Sequence, residues 1–254
     1  MASIDLNADM GESFGPWRMG RDTELLSVVT SANIACGMHA GDPDVMAQTM
    51  ATAAARGVGL GAHPGFADLQ GFGRRRFDLP RQTLQNLVAY QVAAADGMAR
   101  AQGAQLRHLK LHGAMGNMTA EDEAMARAAY EAALRVVPGL ILVVIAGTAQ
   151  EAAARAMGAP RANEVFADRA YNADATLVDR RLPGAVIDDP VSAAARVARM
   201  VRSGGIEPLS GGFVPLEIDT VCLHGDGATA LAMARAVASH LAESGITLAP
   251  FTGR

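Results

Sequence analysis

Three short segments of the chain, 4–9, 108–113 and 221–226, carry polar residues at every second position between apolar ones. Alternate residues of a β-strand point to opposite faces, so each segment has one polar and one apolar face. Carboxylates, lysines and histidines arranged in this way are typical of the catalytic mouth of a βα-barrel. The polar residues are Asp5, Asn7 and Asp9, then His108, Lys110 and His112, then Cys222, His224 and Asp226. This pattern predicts an enzyme.

Lys110 is the most informative single residue, because leucines flank it on a predicted central strand. Burying a lysine is costly unless the ammonium is paired or used. One interpretation is an ion pair with Asp5 or Asp226 that only orients the site. The other is a fixed positive charge placed where an oxyanion or phosphate develops. The residues alone leave both interpretations open.

The histidines form a second pattern, since five of the six end or follow a predicted strand and only His240 falls on a predicted helix. A single buried histidine is more often structural, because buried polar groups usually find partners. Five histidines at one end of a barrel predict instead that at least two contact a substrate. The five are His39, His63, His108, His112 and His224.

A metal site is a further possibility. On a strand, His108 and His112 would have Cα atoms about 13 Å apart, too far to share one ion. Asp5, His39 and His63, from three different strands, would be a more credible set of ligands. The expectation from the sequence is that no transition metal is bound.

The loop 71–76, Gly-Phe-Gly-Arg-Arg-Arg, can cradle an anion through backbone amides and the guanidinium groups of Arg74 and Arg75. The alternative is a solvated basic turn in which one arginine pairs with Asp68 or Asp78. No phosphate-binding loop of the Walker A or dinucleotide type occurs, and no nucleophile elbow is present.

Seven predicted strands alternate with helical segments, which favours a parallel sheet. Asp-Pro pairs at 42–43 and 189–190 predict two of the helix starts. Polar residues follow nearly every strand, which favours a closed barrel rather than an open doubly wound sheet. The prediction is therefore an α/β fold with a single domain, residues 1–254, that forms a seven-stranded βα-barrel. The predicted strands are 3–7, 30–36, 57–63, 106–112, 140–146, 163–168 and 219–224.

Composition sets limits on the partners. The chain has 254 residues, a net charge of −4 and interspersed charges, which argues against a nucleic-acid or membrane partner. Its longest aliphatic run, 140–146, is far shorter than the roughly 20 residues needed to cross a bilayer. Acidic residues near the N-terminus do not match a signal peptide, so the expected location is the cytoplasm. Cys36 and Cys222 form neither a disulfide framework nor a zinc spacing.

Taken together, seven segments of the chain resemble the LamB/YcsF family, and the resemblance covers about residues 3–252. Seven motifs in the same order are far more specific than any one of them. The family is similar in fold to the seven-stranded βα-barrels of the glycoside hydrolase/deacetylase group, which agrees with the strand count above. The segments are 4–12, 30–43, 61–65, 68–75, 108–114, 164–171 and 224–226.

The resemblance implies cleavage of 5-oxo-L-proline to L-glutamate coupled to hydrolysis of ATP, bound as Mg-ATP, together with 5-oxoprolinase subunits B and C. Phosphorylation of the lactam oxygen would make an unstrained amide electrophilic, and the ring would open as water adds and phosphate leaves. Asp5 or Asp226 is the expected general base, His112 or His224 moves protons, and Lys110 neutralises the phosphorylated oxygen. The expected substrate-binding residues are Asn7, Glu12, His39, His63, Arg74, Arg75, Asp168 and Arg169.

The chain departs from the usual family pattern next to Lys110. The family has Pro where Leu111 stands, Leu-Tyr where Met115 and Gly116 stand, and Gly where Ala175 stands. These changes bear on substrate preference. Two other functions are considered: a metal-dependent carbohydrate deacetylase or hydrolase, and a non-catalytic ligand-binding or scaffold subunit. A homo-oligomer is left open.

Overall fold

A computed structural model describes residues 3–224 and 229–254. Within them, seven strands form the main sheet, at Ser3–Met10 (β1), Ser31–Ala35 (β2), Gly59–His63 (β3), Leu106–Lys110 (β4), Ile141–Ile145 (β5), Arg161–Phe166 (β6) and Thr220–Leu223 (β9). Three two-residue strands are Gly205–Ile206 (β7), Val214–Pro215 (β8) and Thr247–Leu248 (β10). The helices are Asp22–Leu25 (α1), Pro43–Ala55 (α2), Arg81–Ala101 (α3), Gly113–Glu121 (α4), Glu123–Val136 (α5), Ala149–Ala156 (α6), Pro190–Ser203 (α7) and Ala230–Glu243 (α8).

The main sheet is a closed barrel of parallel strands. The strands β1 to β6 are hydrogen-bonded in sequence order, and β9 pairs with both β6 and β1. The seven-stranded βα-barrel predicted from the sequence is therefore confirmed, and the pairing of β9 with β1 excludes the open sheet. All seven predicted strands are present, with boundaries that differ by up to three residues.

The largest boundary difference lies in β1, which continues to Met10 rather than ending near residue 7. Its residues 5–8 pair with β9 and its residues 7–10 pair with β2, so the two neighbouring strands together support a longer strand. The short β7–β8 hairpin and β10 were not predicted, because strands of two residues carry no periodic signal.

Two predicted helix starts are confirmed by their caps. The Asp42 carboxylate accepts hydrogen bonds from the backbone amides of Asp44 and Val45, both at 2.9 Å, at the start of α2. Asp189 accepts one from the amide of Ser192 at 2.8 Å at the start of α7. Each cap satisfies amides that have no partner inside the first turn.

The apolar core lies between the barrel and its helices. Ile4, Leu6 and Ala8 of β1 point outward into this core and are at most 2% exposed, whereas Asp5 and Asn7 between them point into the barrel and are equally buried. The strand alternation predicted from the sequence thus separates an apolar outer layer from a polar barrel interior. None of the described helices combines the length and the apolar composition of a membrane-spanning segment.

Candidate active site

A cavity of about 700 Å³ opens at the carboxyl ends of the strands. Its floor is formed by residues at the ends of β1, β3, β4, β5, β6 and β9, and its rim by the loops that follow β3, β4 and β6. Parallel strands direct their carboxyl ends to the same side of a barrel, where active sites of this fold lie. The polar groups on the floor are Asp9, Glu12, His63, Lys110, His112, Glu164 and His224.

Lys110 lies at the centre of the floor in a buried ionic cluster. Its Nζ is 2.8 Å from Asp9 Oδ1, 3.3 Å from Glu164 Oε1 and 2.9 Å from Cys222 Sγ. Burial alone would lower the pKa of Lys110, but Asp9, Cys222 and Glu164 raise it well above its usual range. The side chain is therefore a permanent cation, and it pairs with Asp9 and Glu164. The sequence had offered Asp5 or Asp226 as partners; Asp5 is not one, and Asp226 lies outside the described residues.

The two carboxylates of this cluster differ in their electrostatics. Burial raises the pKa of Asp9, yet the stronger combined effect of His63 and Lys110 holds it well below its usual range. For Glu164, burial dominates and raises the pKa above its usual value despite the nearby Lys110. Asp9 is thus the fixed counter-ion of Lys110, whereas Glu164, with its raised pKa, is the carboxylate better suited to accept a proton.

Asp5 lies on the same face of β1 as Asp9 but four residues earlier, at the inner end of the barrel. Its carboxylate accepts hydrogen bonds from the hydroxyls of Thr30 (2.6 Å), Ser31 (2.8 Å) and Thr220 (2.5 Å). Burial raises the pKa of Asp5. Because this carboxylate does not line the cavity, its position fits a structural role and does not support the expected role as general base.

His108 and Asn7 form a middle layer between Asp5 and the cavity floor. Asn33 donates to Asn7 Oδ1 at 2.7 Å, and a ring nitrogen of His108 lies 2.9 Å from Asn33 Oδ1. Gly61 makes room for this ring, since a Cβ there would collide with His108 Nε2. Burial lowers the pKa of His108 to about 3, so the ring is neutral. Neither Asn7 nor His108 lines the cavity.

Glu12, His39, His63 and His112 form what we call the histidine cluster. One potential ligand atom from each lies within 4.8 Å of those of the others. The rings of His39 and His112 stack with centroids 3.6 Å apart, and His63 Nε2 lies 3.1 Å from His112 Nδ1. Burial lowers the pKa of both His39 and His112, so both rings are neutral.

His224 pairs with Asp168. Its Nδ1 is 2.6 Å from Asp168 Oδ2. Burial alone would lower the pKa of His224, but the Asp168 carboxylate raises it, and His224 in turn lowers the pKa of Asp168. His224 lines the cavity and Asp168 lies behind it. Asp168 therefore acts on the cavity through His224.

Arginines surround the rim of the cavity. Arg74 lines it with its guanidinium 4.8 Å from the Phe72 ring. Arg75 instead pairs with Asp68 through Nε at 3.0 Å and does not line the cavity, which agrees with the basic-turn interpretation for this residue. The lining arginines are Arg74, Arg76, Arg169, Arg180 and Arg181.

Of the residues predicted for the site, seven line the cavity and five do not. Those that line it are Glu12, His63, Arg74, Lys110, His112, Arg169 and His224. Those that do not are Asp5, Asn7, His39, Arg75 and Asp168, although His39 and Asp168 contact lining residues. Asp226 lies outside the described residues.

Asp9 and Glu164 were noted in the strand-end pattern but were not chosen as site residues. The signal that could have selected Asp9 is its distance along β1, because residues nearest the carboxyl end of a barrel strand reach the mouth. Glu164 lies two residues before the end of β6, and the same criterion selects it.

The departures from the family pattern fall in two places. Leu111 and Gly116 line the cavity, and a Cβ on Gly116 would lie 2.7 Å from the Leu111 carbonyl oxygen. Met115 is instead fully buried in the main core. Ala175 has φ +66°, a left-handed conformation that glycine adopts more easily, which accounts for the glycine usual at this position. Of these four positions, only Leu111 and Gly116 can alter substrate contacts directly.

Known proteins match this chain along nearly its whole length. The LamB/YcsF family model matches residues 4–254. The A subunit of 5-oxoprolinase from Ruegeria pomeroyi is 60% identical over 251 residues, which cover 99% of each chain. The crystal structure of the lactam utilization protein from Thermus thermophilus has a TM-score of 0.92 and 42% identity, over 98% of this chain and 100% of that one.

A more distant likeness concerns the fold alone. The catalytic domain of a peptidoglycan N-acetylglucosamine deacetylase from Eubacterium rectale has a TM-score of 0.52 at 13% identity, over 98% of this chain and 88% of that one. The similarity to the deacetylase barrels expected from the sequence is therefore confirmed at the level of architecture.

Proposed function

Because the chain belongs to the LamB/YcsF family, we propose that it is the A subunit of a 5-oxoprolinase that opens 5-oxo-L-proline to L-glutamate with hydrolysis of ATP. The observation that carries this proposal is Lys110, a permanent cation on the floor of a cavity lined by arginines. A cation held in place before the reaction stabilises negative charge that develops on a bound oxygen. A reaction that consumes ATP also agrees with the cytoplasmic location expected from the sequence.

The chemistry explains why ATP is needed. A five-membered lactam is an unstrained, resonance-stabilised amide, and its closure is favoured by proximity of the reacting groups. Transfer of the γ-phosphoryl group to the lactam oxygen leaves ADP and makes the ring carbon electrophilic. Water then adds to that carbon, the carbon–nitrogen bond breaks, and the nitrogen takes a proton. A second water hydrolyses the resulting acyl phosphate to glutamate and phosphate.

The side chains on the floor suit these steps. Lys110 faces the phosphorylated oxygen and offsets its negative charge. Glu164 lines the cavity with a raised pKa and accepts a proton from the attacking water, in place of Asp5. His224, kept protonated to higher pH by Asp168, donates a proton to the ring nitrogen. Arg169 binds the substrate carboxylate. The suggestion that Asp226 is the base stays a prediction.

ATP binding is proposed to involve the rim rather than a dedicated loop. The sequence contains no phosphate-binding loop, but five arginines lie at the rim, and their guanidinium groups can hydrogen-bond phosphate oxygens. Two of them already have carboxylate partners there, since Arg76 pairs with Glu121 and Arg181 with Asp179. Mg-ATP would then be bound by this rim together with subunits B and C. We therefore expect the isolated chain to hydrolyse neither ATP nor 5-oxoproline at a useful rate.

The test is a product analysis with purified subunits. Glutamate and ADP are measured for the complete mixture of this chain with subunits B and C, and for mixtures that omit each component in turn. The proposal expects both products in equal amounts only when all three are present. Robust glutamate release by the isolated chain would contradict the shared ATP site. Full activity without this chain would favour the non-catalytic alternative.

A further inference from the structure

Phe166 is an aromatic residue at the end of β6, between two residues that act on the cavity floor. Glu164, two positions earlier, contacts the Lys110 ammonium, and Asp168, two positions later, contacts His224. Phe166 itself is 4% exposed and lines the cavity. A neutral ring is therefore flanked along the chain by the partners of two cationic groups.

The first of these groups, the Lys110 ammonium, lies against the ring. Its Nζ is 5.3 Å from the centre of the Phe166 ring. The face of an aromatic ring is electron-rich and attracts a cation within about 6 Å of the centroid, most strongly where water is excluded. Lys110 is only 5% exposed, which meets this condition. Unlike a further carboxylate, the ring attracts the ammonium and leaves its charge available to an oxygen atom of a ligand.

The second group, His224, stacks on the same ring. The two ring centroids are 5.7 Å apart and the planes are inclined by 21°. This geometry lies within the range of favourable offset stacking. The hydrogen bond from His224 Nδ1 to Asp168 does not by itself define the plane of the imidazole, whereas stacking on Phe166 does. The two contacts together fix the direction in which Nε2 points.

The ring also acts on the repulsion between the two cationic groups. Burial lowers the pKa of His224, the carboxylates of Asp168 and Asp9 raise it, and the Lys110 cation lowers it. Because the Phe166 ring contacts both groups, its electrons stabilise a protonated imidazole as they stabilise the ammonium. Phe166 therefore reduces the free-energy cost of a protonated His224 near Lys110.

Two side chains hold the backbone at Phe166. Its amide donates a hydrogen bond to the Tyr171 hydroxyl at 2.6 Å, and its carbonyl oxygen accepts one from Arg196 Nη1 at 2.9 Å. Arg196 Nη1 also lies 3.3 Å from the carbonyl oxygen of Ala167. Tyr171 follows β6 and Arg196 belongs to α7, so a loop and a helix both support the end of this strand. Such support keeps the Phe166 ring in place before any ligand binds.

We propose that Phe166 is a positioning residue whose ring holds the Lys110 ammonium and the His224 imidazole at the cavity floor without neutralising either. The roles of Lys110 and His224 in the reaction rest on the proposed function, whereas the contacts of the ring do not. Phe166 also belongs to the main apolar core, so packing alone is the competing explanation. A purely structural ring could be replaced by any group of the same shape.

The experiment separates the electrons of the ring from its shape. Pentafluorophenylalanine is incorporated at position 166 of the full chain, because fluorine withdraws electrons from the ring face, which then repels cations, while the shape changes little. The titration of His224 is followed by NMR of histidine-labelled protein without substrate or partner subunits, and is assigned with His224→Gln. We expect the pKa of His224 to fall. With subunits B and C, kcat should fall on the order of 10-fold while KM changes little.

The matched control is the same replacement at Phe66. This residue is also buried in the main core but does not line the cavity, and its ring contacts Phe77 with centroids 5.4 Å apart. The control should leave the His224 titration and kcat unchanged. If the protein fluorinated at position 166 fails to fold, Phe166→Leu is the second variant, and it should lower the pKa of His224 and kcat in the same direction.

Two titration results would overturn the proposal: a His224 pKa that is unchanged by fluorination of Phe166, or one that falls equally on fluorination of Phe66. A changed titration with an unchanged kcat would show that the ring does not act in the reaction. Failure of the proposed function is a separate observation, since the wild type would then release no glutamate with its partner subunits. The NMR titration would still decide whether the ring acts on His224.

Discussion

The inner end and the mouth of the barrel are built from the same strands but use opposite electrostatics. At the inner end, Asp5 is surrounded by three hydroxyl groups and has a raised pKa. At the mouth, Asp9 on the same face of the same strand contacts Lys110 and has a lowered pKa. A distance of four residues along β1 therefore separates a carboxyl group bound by hydroxyl groups from one paired with a cation.

The difference teaches which polar residues of a barrel interior are structural. Hydroxyl groups satisfy the inner carboxyl group of Asp5, which does not line the cavity. A buried ion pair costs desolvation free energy and is a weak source of stability compared with apolar packing. Its retention at the mouth, next to a cavity, is best explained by a role in binding or catalysis. Four substitutions test this contrast.

The largest effect is expected for Lys110→Met. Loss of one preorganised charge should reduce turnover by at least about 100-fold, equivalent to about 3 kcal/mol of transition-state stabilisation. Leaving Asp9 and Glu164 without their cation should also lower the free energy of unfolding by about 3–5 kcal/mol. Glutamate release with all three subunits and denaturant unfolding measure the two effects. Lys110→Arg is the control, because it keeps the charge and should restore most of the stability. Near-normal turnover of a folded Lys110→Met protein would show that Lys110 has a structural role and not a catalytic one.

Glu164→Gln should reduce turnover by about 100-fold or more if Glu164 accepts the proton of the attacking water. The wild-type rate should also fall as pH decreases through the raised pKa of Glu164, because protonation removes the base. The pH profile of kcat/KM should lose this acidic limb in the variant. An unchanged acidic limb would assign it to another group.

Asp168→Asn should have a smaller effect that is visible mainly in the pH profile. The Asp168 carboxylate raises the pKa of His224, so the acid form of His224 persists to higher pH in the wild type. Removing that charge should move the basic limb of kcat/KM to lower pH. His240→Ala should leave the profile unchanged. A basic limb that stays in place would exclude His224 as the proton donor.

Asp5→Asn should have the smallest effect on turnover and act on stability instead. The folded protein binds the Asp5 proton more tightly than the unfolded chain does, since burial raises the pKa of Asp5. Wild-type stability should therefore fall as pH rises from the ordinary carboxyl pKa through the raised one, and this part of the fall should vanish in the variant. Denaturant unfolding at a series of pH values across this window provides the measurement. A large loss of turnover in a folded Asp5→Asn protein would contradict the structural role assigned to Asp5.

Much of the fold could be predicted from the sequence because its signals are local. Alternating polar and apolar residues determine which face of each strand is buried, and Asp-Pro pairs determine where α2 and α7 begin. The order of strands and helices then restricts the topology to a few parallel arrangements. These properties depend on neighbours in the chain, so seven strands and a barrel could be predicted correctly.

Only the tertiary structure decided how deep each polar residue lies and which partner it meets. Asp5 and Asp9 have the same type, strand and face, yet only Asp9 reaches the cavity, because the tilt and closure of the barrel set the depth of each residue. The contact between Lys110 and Glu164 joins β4 and β6, and the histidine cluster joins the ends of four consecutive units. Such contacts depend on strands that are distant in sequence, and no local pattern specifies the distance between their side chains.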